Sequence, residues 1–214
     1  MSGLMIKDLY NIKGAIKLYT IIIVCLIAYC VFTNKGFVIP IVPIIIGSTI
    51  LTSTFRIDSQ VKWTKYIVQS PLSKKDIIIS KYLLLIFLIV ISTVIGILFS
   101  IPNLISNRIS MQALGQLSLM GINIALYSGT LLTSVNYLFG EATEKIEIFT
   151  ILSYVVSTAT ILGIYKLIKV ISDFSFINIG ASVLIINVVI CLILWSITIK
   201  IYQEKEISLQ NVSQ

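Results

Sequence analysis

Six runs of mainly apolar residues, each parted from the next by a polar interval, leave little of the chain for anything else. They cover 18–32, 37–55, 82–101, 113–139, 148–165 and 177–199. A helix crossing a bilayer needs about 20 predominantly apolar residues. Lipid offers no hydrogen bonds, so a spanning backbone must satisfy its own polar groups. The runs therefore predict an all-α membrane protein with six transmembrane helices, forming one transmembrane domain over residues 1–214. Charge content agrees: 12% of residues are charged, against roughly 25% in soluble domains.

The first run is short for a span. Pro40 and Pro43 stand in the opening turns of the second, where proline costs least. Pro102-Asn103 is expected to end the third.

The long polar interval, Arg56 to Tyr82, holds six of the sixteen Lys and Arg residues. Trp63, Tyr66 and Ile67 share a face if 61–69 is helical, with Lys62 and Lys65 beside it, as on a helix lying at an interface. Pro71 breaks any helix, and Leu72 follows it. Ser73-Lys74-Lys75-Asp76 then has capping-box spacing, in which the Ser73 hydroxyl accepts from the Asp76 amide. The reading is a short interfacial helix, a proline-directed turn and a rigid helix entering the membrane. A solvated basic loop that only sets topology is the alternative.

Residues 3–17 are amphipathic. Met5, Leu9, Ile12 and Ile16 line one side, and Lys7, Asp8, Asn11 and Lys17 lie mostly on the other. This predicts an N-terminal interfacial helix. Six spans put both termini on one side, which then carries twelve Lys and Arg against four opposite. The positive-inside rule places that side in the cytoplasm. The net charge of +7 follows from this bias and implies no nucleic-acid partner.

The fourth run is rich in small and polar residues. Gly121, Ala125, Gly129 and Thr133 recur every four residues, a ridge that admits close helix approach in lipid. Asn123, Asn136 and Asn187 are the most polar groups inside the runs. Packing and lining of a translocation path are both open for Gly121, Asn123, Gly129, Thr133 and Asn136. No run carries Asp, Glu, Lys or Arg in its interior, which argues against proton or sodium coupling.

The chain has no histidine, which removes His-based acid–base, metal and triad chemistry. It has no GxxxxGK[ST] loop for nucleotide phosphates. Cys25, Cys30 and Cys191 lie in apolar runs without CxxC spacing, so neither a metal site nor a disulfide is expected. The chain reads as a non-enzyme with no cofactor of its own.

Three stretches resemble the small ABC-2 type permeases, a group that includes the phenol-soluble-modulin exporter permeases. They are Lys7-Asp8-Leu9-Tyr10-Asn11; then Asp58, Lys62-Trp63, Tyr66, Pro71-Leu72-Ser73 and Lys81-Tyr82; and Ser196 with Lys200-Ile201-Tyr202 and Lys205-Glu206. The chain departs at Asp58-Ser59, where the family often has Asp-Glu. The resemblance implies the permease subunit of an ATP-driven exporter in the cell membrane, moving amphipathic or hydrophobic cargo such as peptides. A separate ABC ATPase would bind ATP and magnesium, and a second permease, alike or related, would complete the membrane dimer. In such permeases the first cytoplasmic loop carries the coupling helix, which here assigns ATPase contact to Lys62, Trp63, Tyr66, Pro71, Leu72, Ser73, Lys74 and Asp76. Lys7, Asp8, Leu9 and Tyr10 would belong to the interfacial helix. A six-span substrate-binding subunit of a vitamin importer and a non-transporting sensor or assembly protein are the alternatives.

Overall fold

A computed structural model describes residues 2–33, 36–61, 73–139, 143–171 and 176–212. Seven α-helices follow in order among these residues: α1 (Ser2–Asn11), α2 (Lys13–Phe32), α3 (Ile41–Gln60), α4 (Lys74–Ile105), α5 (Met111–Phe139), α6 (Thr143–Ile171) and α7 (Phe176–Val212). A 3-10 turn, Gly36–Val38, precedes α3. The helices α2 to α7 supply six segments long and apolar enough to cross a membrane, one for each run. Several extend past their runs, because a helix continues as long as its backbone bonds do, whatever the side chains meet.

Helices α3 and α5 form the centre and are the most buried spans. α5 packs against α3, α4, α6 and α7, while α3 also touches α2, α4 and α6. α2 and α6 lie outside, with large apolar side chains turned outward, as lipid-facing helices do. The main apolar core sits near the end of the bundle that carries the 61–73 connection. It gathers Leu51 and Phe55 of α3, Ile78 and Leu85 of α4, Ala125 of α5 and Ile146 of α6.

Three sequence expectations need correction. Residues 3–17 are not one helix: the chain breaks at Ile12, whose backbone (φ −85°, ψ 3°) leaves the helical range. Ile12 is fully buried, so this turn plugs the core and redirects the chain into α2. Pro102 does not end the third span, because α4 runs through it to Ile105. The stop comes where Arg108 and Ile109 donate their backbone N–H to the Asn103 carbonyl at 2.9 and 3.3 Å. Asn107 adopts φ 53° there, a left-handed conformation that Asn tolerates. Ser73 does occupy the N-cap of α4, but its side chain makes no cap bond. Its carbonyl instead accepts the Asp76 N–H at 2.9 Å and the Ile77 N–H at 3.3 Å.

Polar groups inside the bundle bind helix to helix. Asn187 of α7 donates to the Asn123 carbonyl at 2.8 Å, and Asn123 of α5 donates to the Gly180 carbonyl at 3.2 Å. Asn187→Leu is expected to lower stability by about 1 kcal/mol, read from unfolding in mixed micelles. α3 and α6 meet through three rungs: Ser48 with Tyr154 at 2.5 Å, Thr52 with Thr150 at 3.3 Å, and Arg56 with Glu147 at 3.3 Å. The last rung is solvent-exposed on both sides, so Glu147→Gln is expected to change stability by less than about 1 kcal/mol, measured the same way.

Candidate functional site: an ion ring at the roots of the loop

The 61–73 connection leaves α3 at Gln60 and returns at Lys74, and α1 lies against both roots. Helical phase decides what each root presents. On α3, Asp58 follows Leu51, Thr54 and Phe55 on the buried side. On α4, Lys81 stands with Ile77, Ile78, Leu84 and Leu85 on the buried side. On α1, Asp8 lies between Leu4 and Ile12, one turn from each, and all three are buried.

These three charges meet, and Lys7 closes a ring. Lys81 Nζ reaches Asp58 Oδ2 at 2.5 Å and Asp8 Oδ2 at 3.0 Å. Lys7 Nζ reaches Asp58 Oδ1 at 3.0 Å and Asp8 Oδ1 at 3.1 Å. The contact to Asp8 Oδ1 is an ion pair without the alignment of a hydrogen bond, since that oxygen accepts none among the described residues. Lys and Asp thus alternate, each carboxylate facing two ammonium groups, and the ring is neutral as a unit. Asp8, Asp58 and Lys81 are 2–3% exposed. Lys7 is the wetter corner, with its side chain one quarter exposed. The Lys81 ammonium also lies 5.4 Å from the centre of the Phe55 ring, which itself packs edge-on against Tyr137.

Buried charges are costly to desolvate, and a ring holds only if the pairing is complete. Its structural effect is to fasten three helices together: α1 by Asp8 and Lys7, α3 by Asp58, and α4 by Lys81. The end of α3 and the start of α4 are tied to one another and to the N-terminal helix.

The expected site residues fall into three groups. Lys62, Trp63, Tyr66, Pro71 and Leu72 lie outside the described residues. Ser73, Lys74 and Asp76 open α4, with Ser73 exposed and Asp76 half-buried. On α1, Tyr10 is exposed and Leu9 half-buried, while Lys7 and Asp8 enter the ring. Asp8 was expected on the polar side of an interfacial helix and instead faces the protein. Lys81 was expected among the loop charges and is buried in the bundle.

The five α5 residues meet neighbouring helices or their own turn. A Cβ on Gly121 would stand 3.2 Å from Ile44 of α3, and one on Gly129 would overlap Leu85 of α4. Thr133 and Asn136 donate to the carbonyls of Gly129 and Leu132, four residues back.

The sequence pattern of a family described as "ABC-2 family transporter protein" matches residues 3–203. The chain belongs to the ABC-2 transporter family. It is the membrane component of such a transporter, and it carries no catalytic domain: ATP hydrolysis lies in the ATPase subunit with which ABC-2 permeases generally pair. The match takes in α1, the ring and all six spans. No curated protein and no solved structure matches this ABC-2 permease.

Proposed function

We propose that this ABC-2 permease exports amphipathic or hydrophobic cargo, such as peptides, across the cell membrane as one half of a permease dimer, with both termini in the cytoplasm. In this reading 62–76 is the element that an ABC ATPase grips, with Lys62, Trp63, Tyr66, Pro71, Leu72, Ser73, Lys74 and Asp76 in contact with it. One observation carries the assignment. The buried ring Lys7–Asp8–Lys81–Asp58 binds both roots of the loop to each other and to α1. A push on the loop is then delivered to three helices as one body rather than absorbed by a loose hinge. Switching between two discrete arrangements requires stiff parts of this kind. α1 would lie along the cytoplasmic interface and ride with α3 and α4.

The test is co-purification. The permease is expressed with the ATPase encoded beside it and captured alone. It is then captured again with 62–72 replaced by a Gly/Ser stretch, which leaves the ring in place. Recovery of the ATPase with the native loop only is expected. Equal recovery with both loops removes the coupling assignment, and recovery with neither removes the ATPase partnership itself.

A further inference from the structure

Between α4 and α7, in the half of the bundle nearer the ring, the two helices stand apart over α5 and leave a groove of about 200 Å³. Its walls include Ile79, Tyr82 and Ile86 of α4, Thr130 of α5, and Val188 and Trp195 of α7. Ile86 and Val188 are also exposed on the outer surface of the bundle. The groove therefore opens sideways, where a spanning bundle meets lipid, and not into water. Two further features point to what fills it. Trp195 lies against Tyr82, with ring centres 6.0 Å apart, an aromatic pair of the kind enriched where a membrane meets water. Lys75 stands one helical turn before Ile79 on the same face of α4, towards the membrane surface. It is exposed and makes no ion pair among the described residues.

We propose that this groove binds one anionic phospholipid from the leaflet on the side of the ring. An acyl chain lies along the apolar wall past Tyr82 and Trp195, and Lys75 meets the phosphate. Each part of the site matches one part of the lipid, in the order tail and headgroup from the middle of the membrane outward. A peptide helix or a helix of a second copy fits poorly. A helix about 10 Å across would exhaust 200 Å³ within about half a turn. The inference depends on the six spans and not on the coupling role of the loop.

The full-length chain carrying Trp63→Phe has Trp195 as its sole indole and serves as reporter. It is reconstituted in phosphatidylcholine vesicles containing a small share of brominated phosphatidylglycerol or, in parallel, brominated phosphatidylcholine. Brominated phosphatidylglycerol is expected to quench Trp195 at about fivefold lower mole fraction, the effect of one Lys near an anionic surface. Lys75→Gln is expected to abolish that preference. Val188→Phe, at a position already open to lipid, is expected to obstruct the groove and reduce quenching by both lipids. Equal quenching by both headgroups, unchanged by Val188→Phe, would mean ordinary bilayer contact and would overturn the proposal. Absence of quenching by either lipid in the reporter chain would overturn it too, because the groove would then be closed or filled by protein.

Discussion

Lys81→Met is expected to destabilise the protein by about 3–5 kcal/mol, the cost of removing one partner from a buried pair. The size follows from the position of the ammonium. It is the fully buried cation of the ring and touches both carboxylates, Asp8 and Asp58. Without it, two carboxylates that are 2–3% exposed share Lys7 alone. Methionine fills a similar volume, so the loss reports charge and not a cavity. A second substitution separates the ring from general damage. Lys81→Met with Asp58→Asn leaves Lys7 and Asp8 as a neutral remainder. It is expected to be more stable than Lys81→Met alone, a coupling that distant sites do not show. Thermal unfolding in detergent, with proteolysis at the N-terminal helix as a local readout, measures both. A double variant as unstable as the sum of the two singles would mean that the charges do not act as a unit.

Gly47→Val is expected to force α3 and α4 apart and lower stability by about 1–3 kcal/mol, the usual cost of overpacking. A Cβ at Gly47 would stand 2.6 Å from Ser92 Cβ and nearer still to its hydroxyl. The hydroxyl can turn away, but Cβ is fixed to the backbone of α4. The same crossing is tight at a second point, where a Cβ on Gly96 would lie 2.7 Å from the Pro40 carbonyl oxygen. The two helices thus cannot move to relieve one clash without loading the other. Gly163 of α6 is the control: beyond its own helix backbone, no atom of the described residues lies within 4 Å of a Cβ there, so Gly163→Ala is expected to leave the melting temperature unchanged or raised. A fall as large as that of Gly47→Val would show that helix flexibility, and not contact, sets the cost.

The six spans were legible because apolar runs of that length have one stable use in lipid. The small-residue ridge of α5 was legible for a related reason: Gly121 and Gly129 leave room that only another helix fills. The ring was not. Asp8, Asp58 and Lys81 stand at the ends of apolar stretches, where hydropathy treats every charge as the start of a loop. Pairing between α1, α3 and α4 is a property of the tertiary fold, and no local window contains it. Helical phase was the signal available. Asp58 falls four residues after Thr54 and seven after Leu51, and Lys81 falls four after Ile77. Each charge therefore continues a line of residues that the bundle buries. The break at Ile12 was hidden for the opposite reason: an isoleucine in an amphipathic stretch gives no local reason to leave the helix, and only its burial explains the turn.

The ring also orders events in time. Its corners are made by the first helix and by the ends of the second and third spans, so a growing chain presents Lys7, Asp8 and Asp58 well before Lys81. Until then two carboxylates have one ammonium between them, and α1 has no balanced place to dock. Closure therefore waits for α4 to enter the bilayer, and the N-terminal helix settles after residues synthesised much later. The helix α1 thus reaches its final position only after the third span has been made, and its docking registers that the first three spans have assembled correctly.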